Sequence, residues 1–269
     1  MTDALNPDAL IIGQISLSFH GAATALISEI LTDLGHSVEI REAPHEEMFR
    51  MQGRGEVDLL CSAWLPSSHQ VYLTPYQSEV LTLGVIYTPY CLWGVPTDAP
   101  GEIRSVEDLA RPEIARRFRK RIQGINPGAG ISRFSRQMVD DYGLAAQGFH
   151  FENGTLDDCT GAYLDALAAG ELAVIPLWRP QWLHLETDLR ELTDPKGLLG
   201  GQDEATLVLR RDAKAKLSDE GLRFLQKVSP GNAVISAIDH AMCRQGLAPR
   251  EAARAWIDAH GDVVRRWLD

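Results

Sequence analysis

The segment Leu10-Ile-Ile-Gly-Gln-Ile15 is a short apolar run that predicts a buried β-strand. The stretch 21–34 places apolar side chains at helical spacing, which predicts a helix after that strand. Val38 to Ile40 and Val57 to Cys61 predict two further strands, with a second helix between them around 45–54. This alternation of strands and helices has the spacing that parallel pairing requires, and it indicates an α/β protein.

The pattern resumes after a turn-rich segment, Pro96-Thr-Asp-Ala-Pro-Gly101, which is typical of a linker. Strands and helices alternate again from Ile122 to Ile175, and the run Ala205 to Leu209 predicts a strand that returns to the first half. From about residue 214 the pattern is mostly helical. We therefore predict two α/β lobes. The first comprises residues 8–98 and 206–269, and the second comprises residues 99–205.

Composition excludes several classes of protein. The chain has 269 residues, of which 45% are hydrophobic and 23% are charged, so it can bury a core without a disulfide or metal staple. Its formal net charge of -11 would repel phosphates, which excludes a non-specific binder of nucleic acid or of an anionic membrane. No apolar run approaches the length needed to span a bilayer, so we expect no membrane insertion. A small cationic or zwitterionic ligand is compatible with this charge.

The four cysteines, Cys61, Cys91, Cys159 and Cys243, are widely spaced. No CxxC pair or His/Cys cluster accompanies them, so we expect no zinc site, and no motif indicates a cofactor. We interpret all four as small buried hydrophobic residues.

The segment Gly124-Ile-Asn-Pro-Gly-Ala-Gly130 lies between a predicted strand end and a predicted helix start. Glycines let the backbone turn sharply there, and their N–H groups can point outward. The start of a helix adds partial positive charge, so this loop can hold an anion such as a carboxylate. The alternative is a plain turn between a strand and a helix.

Two tryptophans occupy positions typical of ligand contacts. Trp64 and Trp178 each lie at the C-terminal end of a predicted strand, one in each half of the chain. Ligands of open α/β sheets bind outside those strand ends. A quaternary ammonium group has no N–H to donate, so aromatic faces supply the attraction instead. We interpret Trp256 and Trp267, on the terminal helices, as core residues.

Four segments occur in an order that resembles a known family. They are Ser62-Ala-Trp-Leu-Pro-Ser-Ser-His69, Gly124-Ile-Asn-Pro-Gly-Ala-Gly-Ile131, Trp178-Arg-Pro-Gln-Trp182 and Leu192-Thr-Asp-Pro-Lys196. Together they resemble the substrate-binding proteins of glycine betaine/choline-type ABC importers, over roughly residues 10–260. The resemblance implies a two-lobed, periplasmic-binding-protein-like fold of type II with the ligand cleft between the lobes. It implies a monomeric, non-catalytic protein that closes on its ligand and passes it to the membrane subunits of an ABC transporter.

The resemblance also implies roles for particular residues. Trp64 and Trp178 match the tryptophans that box the trimethylammonium group in the family. Gly124 and Ile125 match the positions whose backbone N–H groups hold the ligand carboxylate. His69 matches a histidine that helps to hold the same carboxylate.

One position departs from the family. Many members carry an aromatic residue after the first strand, and Leu17 occupies that position here. The third wall of the cation cage is therefore missing or is supplied by Phe19, His20 or Tyr90. For His20 the alternative is a turn residue that faces solvent.

Two alternative functions remain open from the sequence. An enzyme on the same fold is one, with Cys61 and His69 as a nucleophile and its base, although no catalytic motif accompanies them. A cytoplasmic ligand sensor is the other. We expect a periplasmic or extracytoplasmic location if a signal peptide preceded the chain, and a cytoplasmic one if Met1 is the native start. The basic run 116–121 is predicted on a helix, as a solvated face or as a docking surface.

Overall fold

The computed structural model describes residues 9–269. The strands are β1 (Leu10–Ile15), β2 (Val38–Ala43), β3 (Leu59–Leu65), β4 (Val80–Tyr87), β5 (Tyr90–Pro96), β6 (Arg121–Gln123), β7 (His150–Glu152), β8 (Ile175–Arg179), β9 (Leu189–Glu191) and β10 (Glu204–Arg210). The α-helices are α1 (Ser18–Asp33), α2 (His45–Gly53), α3 (Gln70–Leu73), α4 (Pro112–Ala115), α5 (Gly130–Asp141), α6 (Leu156–Ala168), α7 (Asp219–Lys227), α8 (Gly231–Gln245), α9 (Pro249–Ala259) and α10 (Gly261–Leu268). Short 3-10 helices cover Thr74–Glu79, Val106–Ala110, Leu144–Gln147, Trp182–Leu185 and Asp212–Lys216.

The chain divides into two units. Unit 1 holds the chain up to Thr88 together with Glu204–Asp269, and unit 2 is Pro89–Asp203. The sequence pattern placed the first crossing after residue 98, whereas the structure places it before β5. The reason is pairing, because β5 is bonded antiparallel to both β8 and β9.

Unit 1 is built on a five-stranded sheet with the order β2-β1-β3-β10-β4. β1 pairs in parallel with β2 and β3, and β10 pairs antiparallel with β3 and β4. The βαβαβ start that we predicted is therefore confirmed. Gly13 of β1 is required for its packing, since a Cβ there would lie 2.5 Å from the Met48 Sδ atom of α2.

Helix α1 is the buried helix of unit 1. Its residues 19–31 are all buried, because it contacts β1 and β3 of the sheet as well as α8 and α9. Glu29 lies within this apolar surrounding with only 5% of its surface exposed. Arg250 and Arg254 of α9 both pair with its carboxylate, the second at 2.8 Å, so the buried charge is compensated.

Unit 2 contains two small sheets. One has the order β8-β5-β9 and is antiparallel, and the other pairs β6 with β7 in parallel. Helix α5 connects β6 to β7, which confirms a βαβ unit in this half. The predicted strand that ends the series at Ile175 is found later in the chain, at Ile175–Arg179, so Trp178 lies inside β8. Strand β9 was not predicted, since its three residues carry no apolar run.

The basic run 116–121 does not lie on a helix, contrary to the prediction. α4 ends at Ala115, and the run continues through turns into β6. Within unit 2, Arg117 pairs with Glu102 at 3.6 Å, and Arg121 pairs with Glu152 at 3.7 Å. Arg119 also pairs with Glu171, so acidic partners lie beside three of the run's five basic residues.

The cysteine and tryptophan predictions are largely confirmed. Cys61, Cys91 and Cys159 are buried, but Cys243 is exposed, because it lies on the outward side of α8. Trp267 is buried, whereas Trp256 is half-buried and stacks on His260. Within residues 9–269, no helix combines the length and the apolar character needed to cross a membrane.

Candidate functional site

Trp64 and His69 are linked by two hydrogen bonds at the end of β3. The backbone N–H of Trp64 donates to His69 Nδ1 at 2.9 Å, and the backbone N–H of His69 donates to the Trp64 carbonyl at 2.9 Å. Because Nδ1 accepts this hydrogen bond, it carries no proton of its own. The ring N–H of His69 is therefore at Nε2. His69 is 1% exposed, so its ring is held in place by the surrounding protein.

The polar edge of the Trp64 indole is also satisfied within unit 1. Its Nε1–H donates to the Tyr87 hydroxyl at 3.0 Å, and that hydroxyl lies 3.2 Å from Ser62 Oγ. Burial raises the pKa of the Tyr87 phenol, which keeps the hydroxyl protonated. The indole N–H is therefore used by the protein, and the ring faces remain apolar surfaces for packing or binding.

Further rings surround this pair in unit 1. Phe19 and His20 come from the first turn of α1, and His45 and Phe49 come from α2. We call these four rings, with Trp64 and His69, the ring cluster. Ring centroids lie 5.2 Å apart for Phe19 and Trp64, 5.8 Å for His20 and Trp64, and 6.0 Å for Trp64 and His69. The ring cluster therefore brings together the residues of unit 1 that the sequence singled out, which are Phe19, His20, Trp64 and His69.

His20 is buried, with 1% of its surface exposed, and this corrects the alternative of a solvent-facing turn residue. Burial lowers its pKa well below the usual value of 6.5, and nearby His45 lowers it further. His20 is consequently a neutral imidazole around pH 7.

Sequence reasoning missed three residues of this region, among them Phe49, whose ring centroid lies 5.3 Å from that of His69. His45 lies 5.4 Å from His69, measured between ring centroids, and Tyr87 bonds the Trp64 indole. His45 follows Pro44 at the start of α2, and Tyr87 ends β4. The one usable signal was position. His45 lies at the start of a helix in the first βαβ series, and Tyr87 lies at the end of the strand β4 that follows this series.

Trp178 and Tyr90 belong to unit 2 and lie apart. In the β5–β8 ladder, Trp178 pairs with Cys91, and Tyr90 pairs with Arg179. Successive side chains of a strand point to opposite faces, so Tyr90 and Trp178 project from opposite faces of this ladder. The Tyr90 hydroxyl donates to the Glu191 carboxylate at 3.2 Å, which holds it on the Arg179 side. The structure therefore argues against Tyr90 as a cage wall beside Trp178.

Of the two backbone donors expected at Gly124 and Ile125, the structure leaves one. The Gly124 N–H already donates to the Glu152 carbonyl at 2.8 Å, so it is not available to a ligand. Glycine is required there, because a Cβ would lie 2.1 Å from the Phe151 ring. The Ile125 carbonyl accepts from Asn153 Nδ2 at 2.7 Å, which holds the peptide that follows, and of the two expected donors the Ile125 N–H remains.

The structure does not support a Cys61–His69 catalytic pair. Burial raises the pKa of the Cys61 thiol to about 12, so the thiolate is strongly disfavoured. His69 Nδ1 is occupied by the Trp64 N–H. Among residues 9–269, no group of three or more His, Cys, Asp or Glu residues is placed to hold a metal ion.

Comparison with known proteins identifies the family. The family described as the substrate binding domain of ABC-type glycine betaine transport systems, OpuAC, matches residues 8–259. The chain belongs to this family. A curated relative is the glycine betaine/carnitine transport binding protein GbuC of Listeria monocytogenes, which is 25% identical over 163 residues. That match covers 60% of this chain and 53% of GbuC, so the chain spans about half the length of this relative.

Solved structures of similar proteins show the same architecture. Lactococcal OpuAC, in its closed conformation with glycine betaine, gives a TM-score of 0.85 at 24% identity, covering 97% of this chain and 99% of that one. The glycine betaine/L-proline-binding protein ProX of Borrelia burgdorferi gives 0.85 at 20% identity, covering 97% of each. The predicted fold is confirmed as that of the two-lobed substrate-binding proteins.

Proposed function

We propose that this chain is a non-catalytic solute-binding protein that passes a small quaternary-ammonium or betaine-like compound to the membrane subunits of an ABC importer. Its membership of the OpuAC family supports the transport role. The observation that carries the ligand class is the setting of Trp64. Its indole N–H is bonded to Tyr87, and the ring lies against Phe19 and His20.

The cationic end of the ligand would contact aromatic faces. A trimethylammonium group has no N–H donor, so its attraction to protein comes from ring quadrupoles and apolar contact. Trp64 and Phe19 provide such rings in unit 1, and Trp178 provides one in unit 2. Three rings that are themselves excluded from water bind a cation more strongly than exposed rings do.

The acidic end of the ligand requires hydrogen-bond donors. His69 Nε2–H is one, because Nδ1 is already an acceptor. The Ile125 N–H is the other, at the start of the loop that leads to α5. A carboxylate can accept from both groups, whereas Gly124 would serve only to shape the loop.

The residues proposed to bind the ligand are Trp64 and His69 in unit 1 and Trp178 and Ile125 in unit 2. Ligand binding of this kind favours a closed state by its differential affinity. We propose that the protein acts as a monomer outside the cytoplasmic membrane, where an importer collects its solute.

Calorimetric titration of the purified protein, freed of bound solute, tests this function. The titrants are glycine betaine, choline, L-carnitine and dimethylsulfoniopropionate. We expect saturable binding of at least one compound, with a dissociation constant of about 1 µM, which corresponds to a binding free energy of about -8 kcal/mol. If none of the four compounds binds, the proposed ligand class is refuted.

A further inference from the structure

The start of α1 lacks the groups that usually compensate a helix N-terminus. The N-cap position is Leu17, and no side chain caps the helix. The first turn, from Ser18 to Gly21, contains no acidic residue. The Gly21 N–H donates to the Leu17 carbonyl at 3.0 Å, but the N–H groups that precede it in the turn have no acceptor within the helix and carry partial positive charge. This 16-residue helix therefore presents donors that an oxygen atom can satisfy.

Two side chains of the same turn have unsatisfied polar atoms. Within residues 9–269, Ser18 Oγ and His20 Nδ1 are buried and have no hydrogen-bond partner. The whole His20 side chain is excluded from solvent, with 1% exposed. An unsatisfied buried polar atom destabilises the folded protein, so its retention points to a partner that is supplied from elsewhere.

The position of His20 indicates what that partner is. Its ring centroid lies 5.8 Å from that of Trp64 and 6.3 Å from that of His69. His20 is also the third residue of α1, where the Cα–Cβ bond tilts toward the helix N-terminus. The unsatisfied Nδ1 therefore belongs to the same ring cluster as the groups assigned to the ammonium and to the carboxylate.

On the basis of the proposed function, we propose that Ser18, His20 and the first turn of α1 form a third subsite, which binds a hydroxyl group of the ligand. The ligand is accordingly a hydroxylated betaine. A hydroxyl both donates and accepts, so it satisfies His20 Nδ1 in either tautomer while accepting from the helix start or from Ser18. A carboxylate would satisfy only the tautomer with a proton on Nδ1.

A matched pair of ligands isolates this subsite. L-carnitine and γ-butyrobetaine share the trimethylammonium and carboxylate groups and differ only in one hydroxyl. We expect the wild-type protein to bind L-carnitine at least about fivefold more tightly in calorimetric titration, as one net hydrogen bond would give. Glycine betaine is titrated in parallel as a ligand without a hydroxyl.

Variants then assign the preference to the subsite. In His20→Phe we expect the ratio of the two dissociation constants to fall to about one. Ser18→Ala should reduce the ratio, and His20→Gln, which keeps a hydrogen-bonding side chain, should retain part of it. His36→Phe is the matched control, since His36 bonds Ser218 on another surface of unit 1, and it should keep the full ratio. Circular dichroism melting checks that each variant is folded.

The outcomes separate this inference from the proposed function. Equal binding of the two ligands by the wild type, or an unchanged ratio in His20→Phe and Ser18→Ala, would overturn the hydroxyl subsite. Binding of glycine betaine with neither longer ligand would overturn it too, and the proposed function would stand. If no quaternary ammonium compound binds, the proposed function fails and this inference fails with it.

Discussion

Trp64 and His69 show how a five-residue spacing becomes a binding geometry. The chain turns at Leu65-Pro66, and two hydrogen bonds between Trp64 and His69, one backbone to backbone and one from the Trp64 N–H to His69 Nδ1, close that turn. This closure sets the tautomer of His69 and leaves Nε2–H as its donor. Tyr87 then fixes the indole of Trp64 from β4. The hydrogen bonds that orient these two side chains therefore determine the binding geometry more than the residue types alone do.

Replacing Trp64 tests the role of the ring. We expect Trp64→Ala to lose about 2 kcal/mol or more of binding free energy, roughly thirtyfold in Kd, because a desolvated cation–π contact and its apolar area are removed. Calorimetric titration with the tightest ligand of the panel measures this loss. Trp64→Phe, which keeps an aromatic face, should recover part of it.

Trp256→Ala is the matched control for this substitution. Trp256 stacks on His260 and Trp267 at the C-terminal helices, away from the ring cluster of unit 1. We expect its variant to bind like the wild type. If Trp64→Ala bound as tightly as Trp256→Ala, the assignment of Trp64 to the ligand would be wrong.

At the scale of elements, the sequence predicted the strands and helices of unit 1 well. Their apolar patterns are strong because the five-stranded sheet and α1 are buried. The boundaries carried less signal. α1 begins at Ser18 and not at residue 21, so Phe19 and His20 lie inside the helix, where they contact Trp64. Spacing alone could not show this contact, since it depends on how α1 enters from β1.

The site in unit 2 was less predictable for a different reason. The sequence correctly indicated a loop between a strand and a helix at 124–130, but it could not show which N–H groups are used within the protein. Gly124 bonds Glu152, and Glu152 lies in β7, a strand whose pairing with β6 is a tertiary feature. Likewise, only the register of β5 on β8 shows that Tyr90 and Trp178 face apart.

The contact of α1 with α9 provides a test at this scale. Burial alone would raise the pKa of Glu29, but hydrogen bonds and charge from Arg250 and Arg254 outweigh it and hold the pKa below its usual value of 4.5. A carboxyl group whose pKa is lowered by folding stabilises the folded protein at pH values above its unfolded-state pKa. This contribution is lost as the pH falls through the folded-state pKa. Stability should therefore decrease as the pH falls below about 4.5.

Glu29→Gln should remove that contribution. We expect the variant to lose about 1–3 kcal/mol of unfolding free energy near pH 7, because Arg250 and Arg254 lose a charged partner at a buried position. Its stability should also depend less on pH below about 4.5 than that of the wild type. Urea unfolding at a series of pH values measures both effects. Asp262→Asn is the control, since Asp262 pairs with Arg266 on an exposed surface, and equal losses in the two variants would contradict this account.

At the scale of the whole molecule, the chain combines two α/β units, and the sequence predicted this division. It assigned β5 to the wrong unit, because a short apolar strand looks the same whichever sheet it joins. The ring cluster of unit 1 and the β8 tryptophan of unit 2 are separate in sequence by more than a hundred residues. The proposed function makes a strong demand on the ligand: one end must be a cation without N–H groups.

The most direct test of that demand compares glycine betaine with 3,3-dimethylbutanoate, its isostere without the positive charge, in which a carbon atom replaces the nitrogen. The two have the same shape and the same carboxylate, so calorimetric titration of both isolates the positive charge. We expect the dissociation constant of glycine betaine to be at least about tenfold lower, because a cation is attracted to desolvated aromatic rings. Equal binding of the two compounds would contradict it, since recognition would then depend on shape and the carboxylate alone.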